Sequence, residues 1–292
     1  MSANRDYLGR YRLIRLIRAG ASCQVWEAID DIDHRKLALK ALQPELRADK
    51  QEIAFLRHEF EVGKGFSHPN VIEVYDFSTD RSIPYLALEL STGRNFKQAL
   101  REGYETIAHK LVHIIQRAAE GLAYFHEQGW VHRDVKPDNF LVDEQWDVKL
   151  IDFALAQKQA GMLSKLFSMK GKIQGTRSYM APEQIRGKAP QQTADIYSFG
   201  CMVFELLSGK LPYTASTPEE LLHKHLQAGV PSVNVNNSNV TVEFNDLVFR
   251  MMSKNAEARP QSMQEFLDEM KALRVFRVTP KPPAEDAVEE QE

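Results

Sequence analysis

The hydrophobic pattern divides the chain into a strand-rich first part and a helix-rich second part. In the first part, short runs rich in β-branched and aromatic residues alternate with polar or glycine-containing breaks, which favours strands. The predicted strands cover 11–17, 25–30, 36–42, 71–77 and 85–90. Between the third and fourth strands, residues 48–64 repeat apolar positions at spacings of three and four, which predicts one helix.

Beyond Gly93 the period changes to that of longer helices. The predicted helices cover 106–128, 195–208, 218–228, 243–253 and 261–273. No internal repeat is visible. The break at 91–94 therefore separates a small, mostly β part with one helix from a larger, mostly α part, and we expect an α+β fold with two lobes.

Both ends of the chain differ from this pattern. Residues 1–10 are expected to form an N-terminal arm, and residues 274–292 combine prolines with a run of carboxylates. Such a composition buries too little apolar surface to offset the entropy of ordering, which predicts a disordered tail. A functional acidic tail is the alternative.

Charge and cysteine content narrow the class of protein. The 292 residues carry 37 Lys+Arg against 40 Asp+Glu, a net charge of -3, which argues against a protein that coats nucleic acid or anionic membranes. Two cysteines, Cys23 and Cys201, cannot form a disulfide framework. With no targeting segment and no apolar run long enough to span a bilayer, we expect a cytoplasmic protein without nucleic-acid partners or a membrane segment.

Chemistry concentrates in two short segments. Residues 132–139 read His-Arg-Asp-Val-Lys-Pro-Asp-Asn, and Asp152-Phe153-Ala154 follows after a predicted β-hairpin. Asp134 can accept the proton of an attacking hydroxyl, and Lys136 can neutralise charge on a transferred group. Asn139 and Asp152 offer the oxygen ligands that Mg²⁺ prefers. A polar loop with incidental charges is the alternative, but the number of matching residues favours phosphoryl transfer.

These segments resemble the motifs of eukaryotic-type (Hanks-type) protein kinases, in particular those of bacterial Ser/Thr kinases. The resemblance covers roughly residues 10–273 and includes Ala38-Leu39-Lys40, 132–139, Asp152-Phe153, Gly175-Thr176, Ala181-Pro182-Glu183, 195–200 and Arg259-Pro260. It implies a bilobal kinase domain at 11–273, with an N-lobe at about 11–90, a hinge at about 89–93 and a C-lobe at about 94–273. It also implies ATP with Mg²⁺, or Mn²⁺ as an alternative, and protein substrates.

The resemblance implies a nucleotide site around Lys40, which would hold the α- and β-phosphates and pair with Glu59 of the predicted helix. The alternative for Glu59 is a solvated carboxylate. Leu88 falls at the gatekeeper position, and Glu89 and Ser91 would present backbone groups to the adenine. The remaining positions implied to contact the nucleotide are Ile17, Gly20, Val25, Ala38, Lys136, Asn139, Leu141 and Asp152. For the apolar members, core packing is an alternative that is compatible with this role.

Further roles follow from the same resemblance. Asp134, Lys136, Lys40 and Glu59 are the implied catalytic residues, and Asn139 and Asp152 the implied metal ligands. Thr176, implied to contact Asp134 and Lys136, favours Ser/Thr over Tyr substrates. Structural roles are implied for a Glu183–Arg259 pair and for Asp195, which would bond the backbone at 132–133.

The segment from Phe153 to Pro182 contains lysines and an arginine but no Asp or Glu. This composition favours acidic substrates, or a phosphate added to the segment itself, or only a solvated basic loop. Because Arg133 matches the residue that receives such a phosphate, we expect autophosphorylation at Ser164, Ser168, Thr176 or Ser178. An activating partner or self-association is expected to act on the domain inside the cell.

Three departures from the kinase pattern concern activity. The glycine-rich loop keeps only Gly20, with Arg18 and Cys23 at the outer glycine positions, and Ala154 replaces the last glycine of Asp-Phe-Gly. If position 154 adopts positive φ, alanine costs about 1 kcal/mol there, and if it does not, alanine is a harmless replacement of glycine. We expect Gly63 to leave a gap beside Phe153, so that Gly63→Leu raises activity. An active Ser/Thr kinase is the leading hypothesis, a nucleotide-binding pseudokinase the alternative, and a small-molecule kinase fits poorly.

Overall fold

The computed structural model describes residues 7–159 and 175–283. Its α+β architecture consists of two compact units. The first comprises residues 7–92 together with Ile151–Ala154, and the second comprises residues 93–150 and the described residues from 155 onward. The Asp-Phe-Ala segment, which the sequence pattern places in the larger part, therefore belongs to the smaller unit.

The first unit is built on an antiparallel sheet of order β1-β2-β3-β4-β6-β5. The strands are β1 (Tyr7–Leu8), β2 (Tyr11–Ala19), β3 (Cys23–Asp30), β4 (Lys36–Leu42), β5 (Val74–Asp80) and β6 (Ile83–Leu88). Alternate residues of these strands meet in one apolar core, whose largest members are Tyr11, Leu37, Leu39 and Tyr85.

A single helix, α1 (Lys50–Gly63), packs on β5 and β6. It begins at Asp49, whose carboxylate accepts hydrogen bonds from two backbone N–H groups of the first turn. Leu56 and Val62 lie on its buried face, as the spacing of apolar residues predicts, and Glu59 shares that face.

The N-terminal boundary differs from the prediction. Residues 7 and 8 form β1, Leu8 is buried, and the backbone N–H of Gly9 donates to Asp80 at 3.0 Å. The burial of Leu8 adds this short strand to the sheet, so the end of the predicted arm belongs to the first unit.

The second unit is mainly helical. Its helices are α2 (Phe96–Glu102), α3 (Tyr104–Ile107), α4 (Leu111–Glu127), α5 (Pro182–Ile185), α6 (Gln192–Ser208), α7 (Pro218–Gln227), α8 (Val242–Met251) and α9 (Met263–Ala272). Short strands are β7 (Arg94–Asn95), β8 (Trp130–Val131), β9 (Phe140–Val142), β10 (Val148–Leu150) and β11 (Gln157–Lys158). Among the described helices, none has both the length and the apolar sequence that a membrane crossing would require.

Helix α6 forms the centre of this unit and is buried along nearly its whole length. The ring of Phe199 on α6 contacts Phe140 of β9 and Phe266 of α9, with centroid distances of 6.3 and 5.6 Å. Apolar residues lie on every side of α6, so it packs against neighbours all round, and its buried Asp195 and Glu205 have polar partners.

Two differences from the predicted helices stand out. The helix predicted at 106–128 is interrupted by a 3₁₀ turn, Ala108–Lys110, between α3 and α4. Helix α2 is not predicted by the pattern, because it is only two turns long and buries just Phe96 and Ala99. Its first turn is stabilised by a capping box between Asn95 and Gln98.

Residues 275–278 are ordered, although they lie within the tail that is predicted to be disordered from residue 274. Val275 and Phe276 are buried, and the backbone N–H of Thr241 donates to the carbonyl of Val275 at 3.0 Å. The N–H of Arg277 donates to the carbonyl of Asn239 at 2.7 Å. The prediction overlooks these two large apolar side chains, whose burial opposes the entropy cost of ordering the chain. Residues 284–292 lie outside the described residues.

Candidate functional site

In the first unit, Lys40 lies between two carboxylates. Its Nζ is 2.7 Å from Oε2 of Glu59 and 3.3 Å from Oδ1 of Asp152. The Lys40 side chain is 18% exposed and that of Glu59 is 2% exposed, so the pair is screened little by water. Burial by itself would lower the pKa of Lys40. The negative charges of Asp152 and Glu59 outweigh this effect and raise the pKa of the lysine. Lys40 therefore remains a cation that can bind an anionic ligand.

The sheet register places several of the predicted nucleotide residues on one face. Val25 pairs with Lys40 across β3 and β4, and Ala38 pairs with Leu88 across β4 and β6. Side chains two residues apart on a strand share a face, so Ala38 and Lys40 point the same way. The small Ala38 and the branched Val25 and Leu88 thus form an apolar surface next to the lysine.

The turn between β2 and β3 corresponds to the degenerate glycine-rich loop. It is closed by a hydrogen bond from the N–H of Gly20 to the carbonyl of Cys23 at 2.8 Å. From the end of β4, Gln43 donates its backbone N–H to the carbonyl of Ser22 at 2.8 Å and its Nε2 to the carbonyl of Gly20 at 3.0 Å. These bonds stabilise a turn that has lost two of its glycines.

Cys23 is half-buried in this turn. Burial raises the pKa of its thiol to about 11, although the charge of Lys40 opposes the shift. The thiol is therefore protonated at neutral pH and is a weak nucleophile.

The other predicted nucleotide residues occupy different elements. Ile17 is 38% exposed on β2, at a register shift of the β2–β3 pairing. The backbone N–H of Glu89 donates to the carbonyl of Glu73 at 2.9 Å, so this N–H already has a hydrogen-bond partner within the first unit. Ser91 follows at the end of the first unit, and Leu141 lies on β9 of the second.

The Asp152-Phe153-Ala154 segment is anchored in the first unit by its phenylalanine. Phe153 is fully buried, its ring contacts that of Phe66 at a centroid distance of 5.9 Å, and its backbone hydrogen-bonds the Glu59 carboxylate. Positive φ falls on Asp152, at 67°, and Ala154 is not among the positive-φ residues of the described chain. Of the two alternatives for Ala154, the structure therefore favours a harmless replacement of glycine.

The expected gap beside Gly63 is absent, and that prediction is wrong. A Cβ atom on Gly63 would lie 2.5 Å from Cγ2 of Val74 and 3.0 Å from two ring carbons of Phe153. Phe66 occupies the space next to the Phe153 ring. Glycine is required here because α1 and Phe153 approach too closely for any side chain.

In the second unit, Asp134 is held on both carboxylate oxygens. Lys136 Nζ donates to Oδ2 at 2.5 Å, and the backbone N–H of Thr176 donates to Oδ1 at 2.9 Å. Lys136 Nζ also donates to Oγ1 of Thr176 at 2.8 Å. Asn139 Nδ2 donates to the backbone carbonyl of Asp134 at 2.8 Å. Thr176 thus contacts both Asp134 and Lys136, the geometry that the resemblance implies for Ser/Thr substrates.

Asp195 hydrogen-bonds the backbone at residues 132–133. It is fully buried at the start of α6, and its two oxygens accept from the backbone N–H groups of His132 and Arg133 at 2.7 and 2.8 Å. His126 of α4 adds a third contact, with Nε2 2.9 Å from Oδ2. Arg133 adopts a positive φ of 69°, and these bonds stabilise that strained backbone.

Glu183 and Arg259 form a bidentate ion pair. Arg259 Nη1 and Nη2 lie 2.6 and 3.0 Å from the two oxygens of Glu183, and the arginine side chain is fully buried. Nη1 also donates to the carbonyl of Thr193. The pair therefore joins α5, which contains Glu183, to the chain leading into α9.

The donor chemistry of the predicted metal ligands fits Mg²⁺. Asn139 directs its Nδ2 at Asp134, so the oxygen of the same amide is the atom that can bind a cation. The side chain of Asp152 is 38% exposed, which leaves the carboxylate accessible to a ligand. Mg²⁺ binds through one or two such protein oxygens and takes its remaining ligands from water and phosphate.

Of the predicted phosphorylation sites, Ser164 and Ser168 lie outside the described residues. The hydroxyl of Thr176 accepts from Lys136, and Ser178 lies in the 3₁₀ turn Arg177–Tyr179. Arg133 Nη1 is 3.4 Å from the carbonyl of Leu155.

Sequence reasoning missed three polar residues that hold the site: Gln43, His126 and Gln184. Gln43 donates a hydrogen bond to the carbonyl of Gly20 in the turn at 20–22. His126 contacts the carboxylate of Asp195, and Gln184 donates to the carbonyl of Arg133. None of the three lies in a motif on which the resemblance rests, so the sequence analysis does not identify them.

Comparisons with known proteins identify the family of this chain. The protein kinase domain family matches residues 11–270. A probable serine/threonine-protein kinase of Clostridium acetobutylicum is 29% identical over 261 residues, which are 89% of this chain and 39% of the relative. Serine/threonine-protein kinase PrkC of Bacillus subtilis is 28% identical over 263 residues, 90% of this chain and 40% of the relative.

Serine/threonine-protein kinase PknA of Mycobacterium tuberculosis is 31% identical over 280 residues, 94% of this chain and 63% of the relative. The chain thus spans less than two thirds of the length of each of these relatives. The resemblance to bacterial Ser/Thr kinases is confirmed. Because the family match extends over most of the sequence, this chain belongs to the protein kinase domain family.

Proposed function

We propose that this chain transfers the γ-phosphate of ATP to serine and threonine hydroxyls of protein substrates. The observation that carries the proposal is the arrangement of Asp134, Lys136 and Thr176, in which one ammonium group bridges a carboxylate and a hydroxyl. A carboxylate oriented in this way can accept the proton of a substrate hydroxyl as its oxygen attacks phosphorus. The new O–P bond replaces the bond to the β-phosphate bridging oxygen, and ADP leaves.

Lys136 and Lys40 have different proposed roles. Lys136 Nζ lies 2.5 Å from Asp134, so it can neutralise negative charge that develops where the phosphoryl group is transferred. Lys40 keeps its charge beside Glu59 and Asp152 and would bind the α- and β-phosphates. Glu59 has no proposed contact with substrate and orients Lys40.

We propose Asp152 and Asn139 as the Mg²⁺ ligands, with Mn²⁺ as an alternative cation. When bound, the cation neutralises the phosphate oxygens of the nucleotide. Asn139 has a second function in the protein, because its Nδ2 holds the backbone and carboxylate of Asp134. The adenine is proposed to contact the apolar surface of Val25, Ala38 and Leu88.

The experiment is transfer of labelled γ-phosphate from Mg-ATP to a generic protein substrate, with phosphoamino-acid analysis of the product. We expect phosphoserine and phosphothreonine from the wild-type chain and at least a 100-fold lower kcat in Asp134→Asn, because the amide cannot accept the proton. Asp138→Asn is the matched control, an adjacent carboxylate in the same loop. A wild-type rate no higher than that of Asp134→Asn would contradict the proposal.

A nucleotide-binding pseudokinase was the alternative, based on Arg18, Cys23, Ala154 and Gly63. Within the described residues, Ala154 carries no positive φ, and Gly63 fits close packing and leaves no gap. The turn at 20–23 keeps an ordered hydrogen-bonded form. None of these features favours the pseudokinase, and the proposal remains an active enzyme.

Autophosphorylation of the segment between Phe153 and Pro182 is part of the proposal. Thr176 is poorly suited to phosphorylation, because its hydroxyl accepts a hydrogen bond from Lys136 and its backbone N–H donates one to Asp134. We expect Ser164, Ser168 or Ser178 to be modified when the active enzyme is incubated with Mg-ATP. Mass spectrometry of the tryptic peptides tests this, and an active enzyme with none of the three modified would contradict it.

The domain limits, at about 11–273 with a hinge near 89–93, are proposed on the same basis, with residues 7–10 and 274–278 added to the folded part. A cytoplasmic location and control by an activating partner or by self-association are further proposals. They are supported by the composition and by the family, in which protein substrates are the rule.

A further inference from the structure

The peptide unit between Arg133 and Asp134 determines where the Asp134 side chain points, because it directly precedes the Cα of that residue. Arg133 holds a φ of 69°, which costs about 1–2 kcal/mol for a non-glycine residue. Such a conformation persists only when neighbouring groups fix it. The N–H of Arg133 is fixed by Asp195 at 2.8 Å, and the N–H of Asp134 faces Nδ1 of His132 at 3.3 Å.

The carbonyl oxygen of the same peptide unit is bound from a different element. Gln184 of α5 donates its Nε2 to the carbonyl of Arg133 at 3.0 Å. Its Oε1 accepts the backbone N–H of Ala181 at 3.0 Å. Ala181 is the residue from which α5 begins, directly after the segment that carries Thr176.

One carboxamide therefore connects the peptide unit before Asp134 with the segment that ends at α5. Both of its ends are required, because one partner is an acceptor and the other a donor. The glutamine carboxamide offers both groups at this reach: glutamate lacks the donor, methionine lacks donor and acceptor, and asparagine is one methylene shorter.

The two segments also have contacts that do not depend on Gln184. The backbone N–H of Thr176 donates to Asp134 at 2.9 Å, and the hydroxyl of Thr176 accepts from Lys136 at 2.8 Å. Glu183, the residue before Gln184, is bound by Arg259. Loss of the glutamine should therefore leave the unit folded while the direction of Asp134 becomes less well defined. An error of about 1 Å in the position of a reacting group can lower a rate by about 100-fold.

We propose that Gln184 is a positioning residue for phosphoryl transfer, which aligns Asp134 with the segment beside the substrate, an inference that rests on the proposed function. Gln184 touches neither ATP nor the transferred group in this role. It acts through the backbone of Arg133 and Ala181.

The test compares Gln184→Met and Gln184→Glu with a matched control, Gln192→Met. Gln192 lies at the start of α6 and also donates its Nε2 to a backbone carbonyl, that of Gln261, at 2.7 Å. We expect Gln184→Met to lower kcat for a protein substrate by about 10- to 100-fold with an unchanged KM for ATP and a Tm lowered by only a few degrees. Gln192→Met should retain the wild-type kcat.

A second readout does not depend on activity. Hydrogen exchange at the amides of Asp134 and Ala181 should be about tenfold faster in Gln184→Met, because one hydrogen bond is lost at each peptide unit. In Gln184→Glu, the retained acceptor should keep Ala181 protected while Asp134 exchanges faster. The control should show wild-type exchange at both amides.

Unchanged exchange at both amides in Gln184→Met, or a wild-type kcat in that variant, would overturn the inference. A wild-type chain that transfers no phosphate would refute the proposed function by itself. Faster exchange at both amides would then still support the bridge made by Gln184, and unchanged exchange would overturn it.

Discussion

Close packing around Gly63 leads to a prediction opposite to the one from sequence. Substitution by alanine would place a Cβ atom 2.5 Å from Cγ2 of Val74 and 3.0 Å from Cδ2 and Cε2 of Phe153. Carbon atoms in contact prefer about 3.5–4.0 Å, so the neighbours must move by roughly 1 Å. Val74 is stiff because it is β-branched, and both neighbours are buried.

The expected loss of stability follows from two opposing effects. Overpacking of a dense core costs about 1–3 kcal/mol. Alanine returns at most about 1 kcal/mol of helix propensity, and less at Gly63, which is the last residue of α1. We therefore expect Gly63→Ala to lower the free energy of unfolding by about 1–2 kcal/mol.

Urea denaturation of matched variants measures this loss. Gly229→Ala is the control, because a Cβ atom there meets no atom within 4 Å and its φ is not positive. In a double-mutant cycle, Val74→Ala should relieve the clash and give a coupling energy of about 1 kcal/mol or more. A Gly63→Ala protein as stable as wild type, or a cycle without coupling, would refute the reasoning.

Activity should change in the same direction. A displaced Phe153 shifts the adjacent Asp152, whose carboxylate contacts Lys40 at 3.3 Å. Gly63→Leu, with a still larger side chain, should therefore lower phosphate transfer, and a higher rate in that variant would restore the original expectation from sequence.

Three further predictions concern the second unit. Burial and a nearby lysine charge lower the pKa of His225 from 6.5 to about 4, so its contribution to stability is present above pH 6.5 and is lost as the pH falls towards 4. Wild type should lose about 3 kcal/mol more than His225→Gln over that range in pH-dependent urea titrations. Arg259→Met should destabilise by about 3–5 kcal/mol, because it leaves Glu183 without its partner, whereas the double variant with Glu183→Gln should lose less. Phe276→Ala should cost about 3 kcal/mol in thermal or urea unfolding, whereas Val278→Ala, 71% exposed, should cost almost nothing.

Much of the architecture is predictable because it depends on short-range patterns. The period of apolar residues predicts α1 with only small shifts at its ends, and the spacing within residues 132–139 predicts the chemistry of Asp134. The resemblance to protein kinases implies Glu59 of this helix as the partner of Lys40, and the two groups lie 2.7 Å apart. Each of these inferences uses residues that are close in sequence or separated by a regular element.

The sequence by itself determined the α+β class and the order of the longer strands and helices, and its motifs identified the residues that we propose to carry chemistry. Tertiary structure alone decided that Gly63 packs tightly against Val74, that residues 274–278 are ordered and that Gln184 reaches the carbonyl of Arg133. These features depend on which distant segments meet and on separations of a few tenths of an ångström. A one-dimensional pattern records the period of a helix or strand, but not the packing that brings two such elements together.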